Sequence, residues 1–526
     1  MHHAVSPFGV MLSIICVSVG ILYLWYLKNH VRKNIKMDSF NTFFLGGARI
    51  GERLTTNDNW GLCFAFANAI WYYSYLGYYF GLYVFLIQLS WSIGVVFIAW
   101  QLQRYLAGSK DGTVHGFISH TYGVRASLLA AIATLIGYTL NIGFEIFYSA
   151  HLLVTSLGGI KYELLLAISI AIFVGGYCII GGYLSNVVSD PLQNKLALFS
   201  QIAIIGLLIF YFPTIIQKSS ISAMLTVSKT IDAPTSFIIG VITFSFFFNL
   251  VDMANWQSMA ANKDVPREDL KKVKVGFIVS AARQMIAPAA LGTLFGAALR
   301  VVSSGVPDDG YFAVLFKPLS SSMSPVTGIL LGIIILGFFA ATITSAGSYL
   351  IAAMQTLAVD VFKRKEAVQL KNSGINPEQL QEAEQLVLAW VKRMMIPVVL
   401  AMTLVFAFLY YGLSRVNMQG LAFQFQFVMY GAAVSLVPSV IYGLFHKAPV
   451  ANRSAGFWSI LIGLIFVIIP FIMAEVFRNI KLPLNLGSDD IVNLTPLFGL
   501  IASTGTFYIL KGTKVEKHAS AAVGGA

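Results

Sequence analysis

Residues 325–358 read PVTGILLGIIILGFFAATITSAGSYLIAAMQTLA, thirty-four positions without a single Asp, Glu, Lys or Arg. A helix of this stretch is long enough to cross the roughly 30 Å of hydrocarbon in a bilayer. Apart from the amide of Gln355, its strongly polar groups are hydroxyls, grouped around Thr344, Ser345 and Ser348. Hydroxyls in a membrane helix ordinarily bond back to the carbonyl four residues earlier, so in isolation these three call for no ligand.

The rest of the chain repeats the pattern. It has 526 residues, 57% of them hydrophobic and 11% charged. Thirteen candidate spans follow from the apolar runs: 8–27, 54–79, 82–105, 125–157, 162–184, 191–215, 236–259, 275–301, 325–358, 394–413, 420–446, 456–478 and 493–511. The expected class is an all-α integral membrane protein. Of the thirty-five Lys and Arg, about twenty-five fall on one side of this arrangement. They cluster at Lys28–Lys36, Lys263–Lys274, Lys363–Lys371 and Lys511–Lys517, while the other side holds eight, among them Lys161, Arg300 and Lys481. The positive-inside rule then predicts an external N-terminus and a cytoplasmic C-terminus in a plasma (cell inner) membrane.

The loops account for the net charge of +12, and no basic stripe lies on a soluble domain, so nucleic acid is not an expected partner. The first span lacks a basic leader and is expected to stay as an anchor. Cys16, Cys63 and Cys178 share no motif spacing and read as packing residues. The longest connection, 359–392, carries Asn376-Pro377, a cap and first-turn proline for a short helix. The tail after Lys511 is small and polar and predicts disorder. No paired nucleophile and base, metal cluster or phosphate loop suggests an enzyme.

Ionisable and amide groups inside the spans are the candidate functional residues, because their desolvation must be offset by a partner, water or a ligand. Thr55–Asn59 opens span two and is either a water-facing cap or an unwound segment with free carbonyls. Asn141, Glu145 and Ser149 share one face of span four. Asn249, Asp252 and Asn255 lie near the end of span seven. Span eight holds Arg283 and Gln284, with a kink expected at Pro288. Arg283 either pairs with Glu145 or Asp252, or awaits the carboxylate of a solute.

Five segments, in order, resemble the sodium:solute symporter family. Phe43-Phe44-Leu45-Gly46-Gly47-Ala48-Arg49 is similar to its motif after the first span. Ile180-Gly181-Gly182-Tyr183 with Ser189-Asp190-Pro191-Leu192-Gln193 resembles its glycine pair and Thr-Asp-x-x-Gln segment. Gln257–Lys263 resembles its Gln-Arg-x-Leu-Ala-Ala segment, with Ser258 in place of Arg. Ala341-Thr342-Ile343-Thr344-Ser345 resembles its sodium motif. Pro438, Leu444–Lys447 and Asn452–Gly456 resemble its motif between spans eleven and twelve.

The resemblance implies the leucine-transporter fold, a 5+5 inverted repeat with broken helices in spans 2 and 7. It implies four regions: an anchor and cytoplasmic loop at 1–53, repeats at 54–215 and 236–446, and two peripheral helices with a tail at 447–526. The implied activity is sodium-coupled uptake of a small polar solute by alternating access. Na+ is the implied ion, held by main-chain carbonyls at Thr56 and Asn59, the carbonyl of Ala341, and the hydroxyls of Thr344 and Ser345. Some members of the family hold a second sodium, here at Asp190 and Ser348, although Gly347 stands where a hydroxyl is usual and Pro191 follows the Asp. The implied solute ligands are Glu145, Asp252, Arg283, Gln284 and Gln424, with Gln426 nearby. A cation and anions at mid-membrane favour an amino acid or organic acid. The expected partners are the solute and membrane lipid, with no obligate protein partner. A solute-sensing receptor without net transport and a proton-coupled carrier are the alternatives.

Overall fold

The computed structural model describes residues 39–512 except 83–84, 87–88, 110–111, 158–161, 226–233, 304, 306–309, 317–324, 363–376, 415–420, 447–451 and 477–486, together with positions 19, 22 and 26. The anchor span as a whole, the basic clusters at 363–371 and 513–517 and the C-terminal tail therefore lie outside the described residues. Everything with regular structure in the described part is helical. Spans two to thirteen each fall on helix, and nine helical runs are long and apolar enough to cross a bilayer. This is a multi-pass membrane protein. Its outward surface carries Trp100, Phe210, Phe408 and Ile509 well exposed, as side chains that face acyl chains rather than water should be.

Two spans are interrupted. Span two runs as Gly51–Cys63, breaks, and resumes as a π turn, Phe66–Trp71, leading into Tyr72–Phe80. Span seven runs as Thr235–Val251, breaks at Asp252 and resumes as Met253–Ala260. Non-helical backbone at this depth is tolerable only where protein or a polar cavity satisfies it. Spans five and six form one run, Glu163–Tyr211, folded at Gly182 with φ 53° and ψ −141°. A Cβ on Gly182 would sit 2.3 Å from the Phe43 carbonyl. Only glycine fits both the conformation and the approach, and this ties the segment before span two to the bend. Span eight is Leu270–Gln284, a π turn at Met285–Ala290 and Leu291–Val302, with the kink at Pro288 where the sequence predicts it. The connection's helix begins at Pro377, also as expected, and runs on to Ser414.

Small residues set the closest contacts. A Cβ on Gly77 would lie 2.0 Å from Thr293 O, and one on Gly296 1.9 Å from Ser74 O. The half of span two after its break (called outer from here, as the half of span seven after its break is called inner) therefore packs backbone to backbone on span eight, the usual device for joining helices where no hydrophobic effect drives them together.

Candidate functional site

The break in span two lies at Phe64 (φ −96°, ψ 71°) and Ala65 (φ −102°, ψ 153°), later than Thr55–Asn59. Thr56 and Asn59 sit inside continuous helix, which corrects the expectation of free carbonyls there. The reason is local: Thr55 Oγ1 donates to Gly51 O at 2.6 Å, Thr56 Oγ1 to Glu52 O at 2.9 Å and Asn57 Nδ2 to Arg53 O at 2.8 Å. Polar side chains that bond back one turn can end a helix or ride along it, and here they ride along it. Asn59 O is taken by Gln284 Nε2 at 2.8 Å.

Span nine meets the break with its hydroxyl face. Ser345 Oγ donates to Leu62 O at 3.3 Å. Thr344 Oγ1 donates to Gln193 Oε1 and to Ala340 O. Ala341, Thr344 and Ser345 are all buried. Main-chain and hydroxyl oxygens grouped in this way can replace the water shell of an alkali cation. Beside them stands Asp190, fully buried, with no hydrogen-bond partner on either carboxylate oxygen. A Cβ placed on Gly61 would lie 3.3 Å from Asp190 Cγ and 3.2 Å from Asn194 Oδ1, and the latter is likewise unpartnered. Asn194 Nδ2 donates to Asn57 O at 2.9 Å, which leaves its oxygen free beside Gly61. Ser348 has a partner of its own, Asn186 Nδ2 at 3.3 Å.

Of the expected solute ligands, Glu145 crosses from span four to the break. Its Oε1 accepts Phe66 N–H at 2.8 Å and its Oε2 accepts Asn68 N–H at 2.9 Å and Asn68 Nδ2 at 3.1 Å. It caps the outer half of span two. Asp252 caps the inner half of span seven in the same manner, accepting Ala254 N–H at 3.3 Å and Tyr138 Oη–H at 2.6 Å. Both half-helices thus present their positive ends to a carboxylate from the chain itself.

Arg283 joins neither acid. It is exposed, donates to Asn57 Oδ1 at 3.4 Å and lies 5.2 Å from the Trp60 ring. Among the described residues no ion pair links it to Glu145 or Asp252. Gln424 is also elsewhere, donating to Asp489 Oδ1 on the last span at 2.8 Å. Gln284 alone of the five lines the central cavity, next to Leu62, Ala65, Asn68, Ser345 and Gln426 and among Tyr73, Trp91, Phe244, Tyr349 and Tyr430.

No protein-family model matches the sequence, and no curated protein matches it. Structures of known proteins do. A Na+-coupled sialic acid symporter, in its substrate-bound outward-open state, superposes with a TM-score of 0.69 over 95% of this chain and 97% of the other, at 15% identity. Mhp1, a nucleobase-cation-symport-1 family transporter in a closed conformation with bromovinylhydantoin bound, gives 0.51 over 88% and 92%, at 12% identity. The chain has the leucine-transporter fold. The break in span two and the hydroxyl face of span nine meet here at Leu62 and Ser345.

Sequence reasoning missed Asn68 as a cavity residue and placed Gln424 above Gln426. Asn68 follows the break, and a signal was available: it is the only amide in the outer half of span two, among apolar and aromatic neighbours.

Proposed function

We propose that this chain is a secondary active transporter that couples sodium entry to uptake of a small solute by alternating access. One observation carries the reading. The hydroxyl face of span nine, Thr344 and Ser345, abuts the break in span two at Leu62, and the central cavity is lined by the same Leu62 and Ser345. Sodium would be held by Leu62 O, Ala341 O and the two hydroxyls, with the span-two contribution moved from Thr56 and Asn59 to the break. Asp190 with Asn194 would hold a second sodium; Ser348, engaged by Asn186, contributes less. Coupling is reciprocal linkage: an ion that orders the break favours the solute at its edge, and the solute favours the ion by the same factor. The basic-residue asymmetry supports a plasma (cell inner) membrane location with the N-terminus outside and the C-terminus in the cytoplasm.

Thermal unfolding of the purified protein in NaCl against choline chloride tests the ion. A ligand that binds only the folded state raises the melting temperature. Sodium should stabilise the wild type, and Thr344→Ala should need about ten-fold more of it for the same effect. Equal melting in both salts, with stabilisation by acidic pH instead, would move the reading to proton coupling.

A further inference from the structure

The central cavity has no charge on its walls. No Asp, Glu, Lys, Arg or His lines it. What it offers are aromatic faces and four polar atoms without partners: Asn68 Oδ1, Gln284 Oε1, Gln426 Nε2 and Trp91 Nε1. Two of them are fixed by what the rest of each amide does. Gln284 spends its Nε2 on Asn59 O at 2.8 Å, so its oxygen is left for the cavity. Asn68 spends its Nδ2 on Asn141 Oδ1 and Glu145 Oε2, both at 3.1 Å, so its oxygen is left as well. The Gln426 amide nitrogen is a donor awaiting an acceptor.

A solute carboxylate finds no side-chain cation in this arrangement. The two natural anion sites of the fold, the N-termini of its half-helices, are filled by Glu145 and Asp252. A second carboxylate at either would meet a like charge in a water-poor interior. The one guanidinium near the cavity, Arg283, is exposed and turned to Asn57 and Trp60. Buried donors and acceptors left unpaired by the wrong ligand are the strongest source of discrimination a polar site has.

Resting on the transport reading above, we infer that the solute is neutral and carries both a hydrogen-bond donor pair and an acceptor, as an amide, a lactam ring or a polyol does, and that the site rejects carboxylates. The donors meet Gln284 Oε1 and Asn68 Oδ1, the acceptor meets Gln426 Nε2, and a flat or ring-shaped body packs on Trp91 and Tyr349. This replaces the preference for an amino or organic acid that the ionisable residues of the sequence suggest.

The test uses probe pairs that differ in one carboxylate: nicotinamide against nicotinate, uracil against orotate, and glucose against glucuronate. Melting temperature is measured in NaCl for the full-length protein. At least one neutral member should stabilise at concentrations ten-fold below its carboxylate partner, and Gln426→Leu should remove that shift while leaving the stabilisation by sodium alone. Tighter binding of any carboxylate member overturns the inference. So does silence of all six probes, because the free amides should bind at least one neutral member at millimolar concentration. The sodium-only shift, read in the same experiment, reports separately on the coupling: its absence alongside a neutral-probe shift sinks the symporter reading and leaves the solute class standing.

Discussion

Gln257 gives both hydrogens of its side-chain amide to different elements, one to Phe44 O and one to Gln355 Oε1, each at 2.9 Å. Gln355 passes the chain on, donating to Gly112 O at 3.2 Å. Two fully buried glutamines therefore join the segment before span two, the inner half of span seven, span nine and the loop before Val114–Tyr122. The same seam is closed by Ile50 N–H to Ala261 O at 3.2 Å and Gly51 N–H to Asn262 Oδ1 at 3.0 Å. On the transport reading proposed above, these are the pieces that would separate for the end bearing Lys263–Lys274 to open. Asn59 Nδ2 to Ser258 Oγ at 2.9 Å, Asn262 Nδ2 to Thr55 Oγ1 at 2.9 Å and Asp264 N–H to Ala48 O at 3.1 Å add to the seam.

Gln355→Ala should loosen that end. Each lost hydrogen bond removes about 1 kcal/mol, which is roughly a five-fold shift in a two-state equilibrium. In a background lacking Cys16, Cys63 and Cys178, a cysteine introduced by Ser258→Cys should react with a maleimide several times faster when Gln355 is also replaced by Ala. Ser258 is 1% exposed and faces Asn59, so it reports the seam and not the surface. An unchanged labelling rate would show that the glutamines do not hold the gate.

Thr344→Ala and Ser345→Ala should each raise the sodium concentration for half-maximal stabilisation by about ten-fold, the equivalent of one lost oxygen ligand at roughly 1.4 kcal/mol. Alanine preserves the helix, so insertion and folding should survive. The structure sharpens the expectation for Ser345, whose hydroxyl already reaches the break at Leu62. Wild-type sodium dependence in both variants would remove the site.

The sequence was most readable where one residue's own chemistry decides. Pro288 had to kink, Pro377 had to start a helix, and the apolar runs had to span, whereas the bend at Gly182 was not read from the sequence. The resemblance added the breaks in spans two and seven and the hydroxyl pair of span nine. What stayed hidden depends on which neighbour arrives. Thr55–Asn59 looks like a helix end until back-bonded hydroxyls and a glutamine from span eight are placed around it. Glu145 looks like a ligand until two backbone amides, from a break almost eighty residues away, take its oxygens. Gln424 and Gln426 are two residues apart, so they point about 200° away from each other on a helix. One faces Asp489 and the other the cavity, and no property of the sequence ranks them.

Asp190→Asn should separate stability from ion binding. A cap role for Asp190 is excluded by its place eight residues past the bend at Gly182, inside the helix that runs on to Tyr211. Its two oxygens are buried without a donor, and a buried polar group left unsatisfied costs at least about 1 kcal/mol. Replacing the acid with its amide should therefore raise the melting temperature in choline chloride and shrink the further rise that sodium gives. A variant that melts lower in choline but keeps the whole sodium increment would show that Asp190 is structural.

Glu145 offers the sharpest test of how the break is held. Its carboxylate is the cap of the outer half-helix, and each oxygen has its own backbone N–H. Glu145→Gln keeps one acceptor but turns an NH2 toward the other donors, so an amide hydrogen must face Asn68 N–H. The cost should be about 1–3 kcal/mol, seen as a lower melting temperature. Glu145→Ala goes further and leaves both N–H groups bare at the positive end of a fifteen-residue half-helix, Phe66–Phe80, in a space the size of a carboxylate. Formate is small enough to enter that space and has the same two oxygens. Added formate should therefore raise the melting temperature of Glu145→Ala toward that of the wild type, while chloride at equal ionic strength should not and the wild type should not respond. If formate leaves Glu145→Ala unchanged although the variant is folded, the half-helix does not depend on a carboxylate cap, and the argument that its anion site is already filled falls with it.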